Sequence, residues 1–283
     1  MLLDKIQDII YCPLCGKLGI RVINNRVIAS CCDRVFKLQD NQIIIFNDNI
    51  VSSEIESRDN QAKKYLTHSK FPTQISRMKK WMSSISQDLI EGITLDLGCG
   101  PGPTTEMLLQ NGARNIFAAD FSINSLIINK ETCNKHEVKP IYMLQDITDI
   151  RLRKNSISVL IMADFLQHIT DKRVRDNFIN RVMHSLIPGG VFFLSFFNIN
   201  IKNYFKNDIK GAFSSGNIKY ERLDYKNVIS NFPDNIIIEK ISPMNIFHHA
   251  ELDRLFCVLP FSNLFSRMIV IQGRKISDER FRK

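Results

Sequence analysis

The run "ITLDLGCGPG", Ile93 to Gly102, constrains this chain more than any other stretch: an apolar segment of strand length holds an acid and is followed by glycines at alternate positions. Gly98, Gly100 and Gly102 precede a stretch with helical spacing, Thr104 to Asn111. A strand, glycine loop and helix in that order lets the backbone turn tightly and lets a ligand approach with no Cβ in the way. Many nucleotide sites share that much. The dinucleotide fingerprint also needs a glycine three residues after the second one and free N–H groups aimed at a pyrophosphate. Here that position is Pro103, and Pro101 lacks an N–H as well. The loop is therefore a poor phosphate cradle and suits a ligand held by shape and a few contacts.

From Ile93 onward, apolar run, turn and amphipathic stretch alternate, which predicts an α/β, Rossmann-like fold with a parallel sheet and crossover helices. The expected strands are "ITLDL", "NIFAAD", "IYML", "SVLIM", "VFFLSFF", "IIIEKI" and "RMIVIQG". Helices are expected over Thr104–Asn111, Ile123–His136 and Arg173–Leu186, with "IPGG" ending the last one and turning the chain into the next strand. The final two runs are expected to pair antiparallel at the sheet edge. Three acids fall near strand carboxyl ends. Asp96 favours a ligand bearing positive charge, Asp120 is placed to accept both hydroxyls of a ribose, and Asp146 can accept from an exocyclic adenine amine. S-adenosylmethionine, with its ammonium and sulfonium groups, fits that description.

The runs "LDLGCGPG", "AADFS", "LQDI" and "LIPGG" together resemble the class I S-adenosylmethionine-dependent methyltransferases, over Ile93 to about Gly273. The resemblance implies a seven-stranded sheet whose last strand is reversed. It assigns Asp96, Gly98 and Gly100 to the methionine-contacting loop, Asp120 to the ribose, Phe121 to adenine packing, and Asp146 with Ile147 to the adenine contact. Cys99 within the loop and Ala163 at the end of the fourth strand complete the expected cofactor set. Methyl transfer from a sulfonium is an in-line displacement with an activated electrophile, so the protein mainly orients the acceptor and removes a proton where needed. Past the fourth strand, in "MADFLQHI", the titratable groups are Asp164 and His168. His168 is a candidate general base with an unperturbed pKa near ~6.5; the plain alternative is a histidine that packs or bonds a backbone carbonyl. His248 and His249 are a second pair, and Tyr204, Phe205 and Tyr220 are candidate walls of an acceptor pocket.

"CPLC", Cys12 to Cys15, is a turn whose two thiolates can chelate one ion, and Cys31 and Cys32 follow at a spacing common in zinc ribbons. Four soft ligands suit zinc. The layout is similar to the zinc module that precedes the catalytic domain in bacterial ribosomal-RNA guanine-N1 methyltransferases. It departs from that pattern in the second pair, which is adjacent, so both a zinc site and a degenerate ribbon without metal remain open. The expected division is a zinc-ribbon-like module over 1–50, a helical connector over 51–91 and the methyltransferase domain over 92–283.

Composition narrows the partners. The net charge of +9 favours acidic partners in general. Between Arg58 and Lys80 seven Lys/Arg face Asp59 alone, interleaved with Tyr65 and Phe71. A nucleic-acid surface looks like this, and so does a solvated helix face. The most apolar run, Val191 to Phe197, is too short to cross a bilayer, and no membrane partner is expected. Cys99, Cys133 and Cys257 stand singly in apolar surroundings, which reads as reduced thiols in the cytoplasm. The leading expectation is methylation of an oxygen or nitrogen on a small-molecule acceptor. The alternatives are an RNA base methyltransferase and a regulator that binds the cofactor without transferring its methyl group.

Overall fold

Each of the seven expected runs forms a strand, the central ones because they are apolar enough to be buried between helical layers. The computed structural model describes residues 2–47, 53–67, 72–213, 216–246, 250–259 and 261–277. The chain opens with α1 (Ile6–Ile9) and four short strands, β1 (Ile20–Ile23), β2 (Arg26–Ala29), β3 (Arg34–Gln39) and β4 (Ile43–Ile45). Three helices follow, α2 (Ser53–Thr67), α3 (Pro72–Met82) and α4 (Gln87–Glu91). The α/β alternation then runs β5 (Ile93–Leu97), α5 (Pro103–Gln110), β6 (Asn115–Asp120), α6 (Ile123–Cys133), β7 (Ile141–Leu144), β8 (Ile157–Ala163), α7 (Lys172–Met183) and β9 (Leu186–Phe197). After it come α8 (Ile201–Phe205), the hairpin strands β10 (Lys210–Phe213) and β11 (Ile218–Glu221), α9 (Tyr225–Ile229), β12 (Ile236–Met244), α10 (Ala250–Phe256) and β13 (Met268–Lys275).

The order β7-β6-β5-β8-β9-β13-β12 is the expected seven-stranded sheet, with β13 antiparallel to both of its neighbours. Beyond β7 the sheet continues through β4, β3, β2 and β1, since Ile43–Ile45 pair in parallel with Tyr142–Leu144. The central strands β6, β7 and β8 are buried on both faces, whereas β12 at the edge exposes most of its alternate positions. On one face α7 and α1 pack, bringing Phe178, Ile179, Ile6 and Ile9 into one core with Phe117 and Met162. On the other, Trp81 of α3 and Leu108 of α5 close over Ile161 and Phe193.

One local expectation fails. "IPGG" does not turn the chain between helix and strand, because α7 already ends at Met183 and Ile187–Gly190 lie inside β9. Leu186 pairs with Ile157 and Val191 with Val159, so the run is a bulge that takes up the extra residues.

Candidate active site

All the parallel strands end on the same edge, and the glycine loop crosses it. Gly98 (φ +65°) donates its N–H to the Ala119 carbonyl at 2.8 Å, and a Cβ there would meet the Phe165 ring at 2.6 Å. Only glycine accommodates both the left-handed backbone and that approach. Gly100 (φ +51°) differs: a Cβ would meet nothing within 4 Å, so the loop faces open space there. A ligand lying on the loop fits that space.

The acids around this space are held before any ligand arrives. Asp120, at the end of β6, accepts the N–H of Gly100 and that of Ser122, each at 2.9 Å. Burial raises its pKa, and the two backbone N–H groups partly offset the rise. Asp96 on β5 is buried and accepts from Thr105 Oγ1 at 2.8 Å. Burial pushes its carboxyl up to about 7, against the Thr105 bond and with some repulsion from Asp120. Burial and the neighbouring carboxylate both disfavour its charged form, which a cationic ligand would stabilise. Asp146 follows β7 and accepts from the N–H and the hydroxyl of Thr148, both at 2.8 Å. Ile147 beside it is buried and Phe121 half-buried. Cys99 is buried within the loop, where burial and the nearby acids keep its thiol protonated.

Several contributors escaped the sequence reading. Asn129 of α6 donates to the Gly100 carbonyl at 3.1 Å and to Thr105 Oγ1 at 3.0 Å, and accepts from the Tyr142 hydroxyl at 3.2 Å. These polar groups fasten loop, helix and sheet together. From above, α2 packs on α6, with Asp59 accepting from Ser122 Oγ. Its Arg58 pairs with Glu54 at 3.4 Å and lies near enough to Asp120 and His168 to perturb both. Arg58 and Glu54 thus face the cleft.

At the end of β8, Ala163 pairs with Ser195 of β9 and is half-buried. Asp164 adopts a left-handed conformation (φ +60°); its carboxylate accepts from Ser195 Oγ at 2.6 Å and its N–H donates to the Ser195 carbonyl at 3.1 Å. His168 Nδ1 stands 2.8 Å from the Lys219 carbonyl of β11. A carbonyl only accepts, so Nδ1 carries the hydrogen and Nε2 keeps its lone pair. Burial, reinforced by Arg58, pushes the His168 pKa down to about 3, so the ring is neutral at physiological pH. Next to it Phe213 and Tyr220 stack at 4.6 Å, Phe197 meets both edge-on, and Arg222 lies over Phe197 and Tyr220. Tyr220 thus lines the acceptor side, whereas Tyr204 and Phe205 project from α8 into solvent. His248 and His249 lie outside the described residues.

The four cysteines come together far from this cleft. Cys12, Cys15, Cys31 and Cys32 bring their sulfurs within 4.8 Å of one another, with Cys15–Cys31 at 3.5 Å and Cys12–Cys32 at 3.9 Å. Thiolates at ~2.3 Å from one tetrahedral ion stand roughly 3.8 Å apart, so the donor set fits zinc. The adjacent pair converges because Cys31 and Cys32 lie in a turn, closed by the Cys32 N–H on the Ala29 carbonyl at 3.1 Å and by Asp33 at φ +48°. The Lys17 N–H beside Cys15 pushes its thiol down to about 7, whereas burial pushes Cys31 up and the Cys15 sulfur, with burial, pushes Cys32 up, so the thiols share their protons until an ion displaces them.

Residues 94–190 match the family model described as a methyltransferase domain. Over those residues the chain carries a class I S-adenosylmethionine-dependent methyltransferase domain. No curated protein matches it in sequence. Its fold is similar to that of phosphoethanolamine N-methyltransferase 2 of Haemonchus contortus in complex with S-adenosyl-L-methionine, with 15% identity, a TM-score of 0.56, and 81% of this chain and 61% of that one covered. An S-adenosylmethionine-dependent methyltransferase of Clostridium acetobutylicum is similar at 12% identity and TM-score 0.54, covering 78% and 98% of the two chains. The N-methyltransferase NodS of Bradyrhizobium japonicum, in complex with S-adenosyl-L-homocysteine, is similar at 12% identity and TM-score 0.51, covering 78% and 99%.

Proposed function

We propose that the protein methylates a nitrogen or oxygen of a small-molecule acceptor. The observation that carries this reading is the neutral His168 beside the Phe197, Phe213 and Tyr220 rings, beneath a helix that already presses on the cleft. S-adenosylmethionine, when bound, supplies a methyl group already activated by the sulfonium. Asp96 would face its ammonium, Asp120 its ribose, and Asp146 with Ile147 and Phe121 its adenine. Gly98, Cys99, Gly100 and Ala163 would line its path. His168 Nε2 would accept a hydrogen bond from the acceptor's N–H or O–H and aim the heteroatom's lone pair. A ring whose proton affinity is so depressed orients better than it deprotonates. Asp164, tied to Ser195, would set the strand end from which His168 is presented. Two structurally similar proteins are N-methyltransferases by name, which favours an amine.

The RNA reading keeps less support. Arg58 turns into the cleft and Arg77 donates to the Pro243 carbonyl at 2.7 Å, so two cations of the basic stretch serve the fold. Labelled methyl transfer from S-adenosylmethionine, offered in parallel to a small-molecule extract and to total RNA, tests this directly. Counts in the extract are expected; counts in RNA alone overturn the proposal. We further propose that Cys12, Cys15, Cys31 and Cys32 hold one zinc ion.

A further inference from the structure

Tyr204 and Phe205 belong to a larger apolar surface that neither the cofactor cleft nor the cysteine cluster uses. On α8, Phe205 is 79% exposed; in the segment after α10, Val258 is 79% and Phe261 73% exposed, with Leu255 and Phe265 also open. Side chains of this size gathered on adjacent elements mark a docking surface rather than ordinary scatter. The two elements are neighbours, because Asn198, just before α8, donates to the carbonyls of Asn263 and Ser266. Phe261 also holds a left-handed backbone (φ +64°), which a bulky residue adopts only against resistance. Its ring gains no burial within the chain in return.

Charge identifies the occupant. Lys202 and Lys206 on and after α8 and Arg267 just before β13 are exposed, while Asp208 is paired with Arg222 and Asp253 is buried. Exposed Lys79 and Lys80 add to them from α3, which packs against α10. A second copy of the chain would set these cations against their own kind. Apolar side chains ringed by lysine and arginine match a lipid surface carrying negative headgroups.

We propose that this face seats the protein on an anionic bilayer. The placement is functional: Met268 pairs with both Phe197 and Met244, so α8 and α10 sit on the edge where the parallel strands end and the cleft opens. The sequence expectation of no membrane partner rested on the lack of a long apolar run. A surface assembled from separate short segments leaves no such run, and it lies on the bilayer without crossing it.

Vesicle flotation of the full chain tests this without reading methyl transfer, so it stands or falls apart from the acceptor assignment. The chain should float with phosphatidylcholine vesicles containing phosphatidylglycerol and not with phosphatidylcholine alone. Neutralising Lys202, Lys206 or Arg267 should weaken binding by roughly five-fold each. Phe261→Asn combined with Phe265→Ser should abolish flotation while adenosylhomocysteine binding by calorimetry stays unchanged, which shows that the fold survives. The proposal is overturned by absence of flotation with either vesicle. It is equally overturned by flotation that ignores the phenylalanine changes, or by a dimer in ultracentrifugation that those changes dissociate.

Discussion

The cysteine cluster and the carboxylate cleft are the two proposed ligand sites, but they are assembled over different distances and left in different states. Cys12, Cys15, Cys31 and Cys32 come from two turns joined by one short hairpin, so local backbone geometry suffices to gather them. Asp96, Asp120 and Asp146 sit on or just after β5, β6 and β7, and only the order of a parallel sheet makes them neighbours. Their satisfaction differs too. The carboxylates already accept from Thr105, Gly100, Ser122 and Thr148, so the cleft is formed before its ligand binds. The sulfurs have little but one another, and thiols are weak donors, so an ion would complete that site. A preformed cleft tolerates loss of its ligand; a cluster that awaits an ion does not.

The largest effect should follow from removing one anchor of the cleft. Asp120→Ala leaves the Gly100 and Ser122 N–H groups without their acceptor and, on the proposed reading, takes away the partner of the ligand's ribose. Hydrogen bonds to a charged group contribute ~1.5–3 kcal/mol each, so adenosylhomocysteine affinity by calorimetry should fall about a hundred-fold or more. Zinc content should not change. A loss below three-fold means that the cleft does not hold its ligand through this acid.

Cys12→Ser probes the other region. Zinc per chain should drop from one to none, and the midpoint of thermal unfolding should fall by roughly 5–10 °C. Affinity for adenosylhomocysteine should stay within about three-fold of the parent, as expected of sites separated by several strands. Because β4 pairs with β7 and α1 shares the main core, the comparison can also break here. If cofactor affinity collapses with the metal, the two regions fold as one unit and the contrast drawn above is wrong.

Most of the cleft was legible because its makers are extreme in sequence. "ITLDL", "NIFAAD" and "IYML" form strands over the residues expected, since continuous apolar runs of that length have few alternatives. The glycines were legible from the conformations and close approaches that only they allow. What stayed hidden was chemistry carried by ordinary polar residues at helical positions. Thr105, Asn129 and Tyr142 read as parts of a helix or strand, and only tertiary packing turns them inward. Arg58 likewise looked like one member of a basic run, because nothing in its own stretch says that α2 will lie against α6. Tyr204 and Phe205 erred in the opposite direction, since aromatic residues after a strand suggest a wall whether they point in or out.

Acidification separates the regions through Asp96. Burial has raised this carboxyl to about 7, so it is ionised above that pH and neutral below it. If Asp96 faces the ligand's ammonium as proposed, its neutral form loses that attraction, and affinity rises as pH rises through 7. Between pH 5.5 and 7.5, calorimetry with adenosylhomocysteine should show a gain of roughly ten-fold or more, and Asp96→Asn should flatten it. A pH-independent affinity in the parent protein would show that the ammonium is neutralised elsewhere.

The smallest effect is expected at His168, where sequence and structure give different chemistry. An ordinary histidine near ~6.5 would put an ascending limb in the pH profile of kcat/KM as its base form appears. Here burial and Arg58 hold the pKa down to about 3, and the Lys219 carbonyl fixes the hydrogen on Nδ1. The acceptor nitrogen is therefore already available throughout the range from pH 5 to 8, and no limb should belong to this residue. His168→Ala should lower kcat/KM by about ten-fold, the worth of one neutral hydrogen bond, and His168→Gln should restore part of it through its amide oxygen. A limb near neutrality that His168→Gln removes would reverse the assignment. It would mean that the bound acceptor restores enough polarity around the ring for it to take a proton, and that orientation and deprotonation are one role.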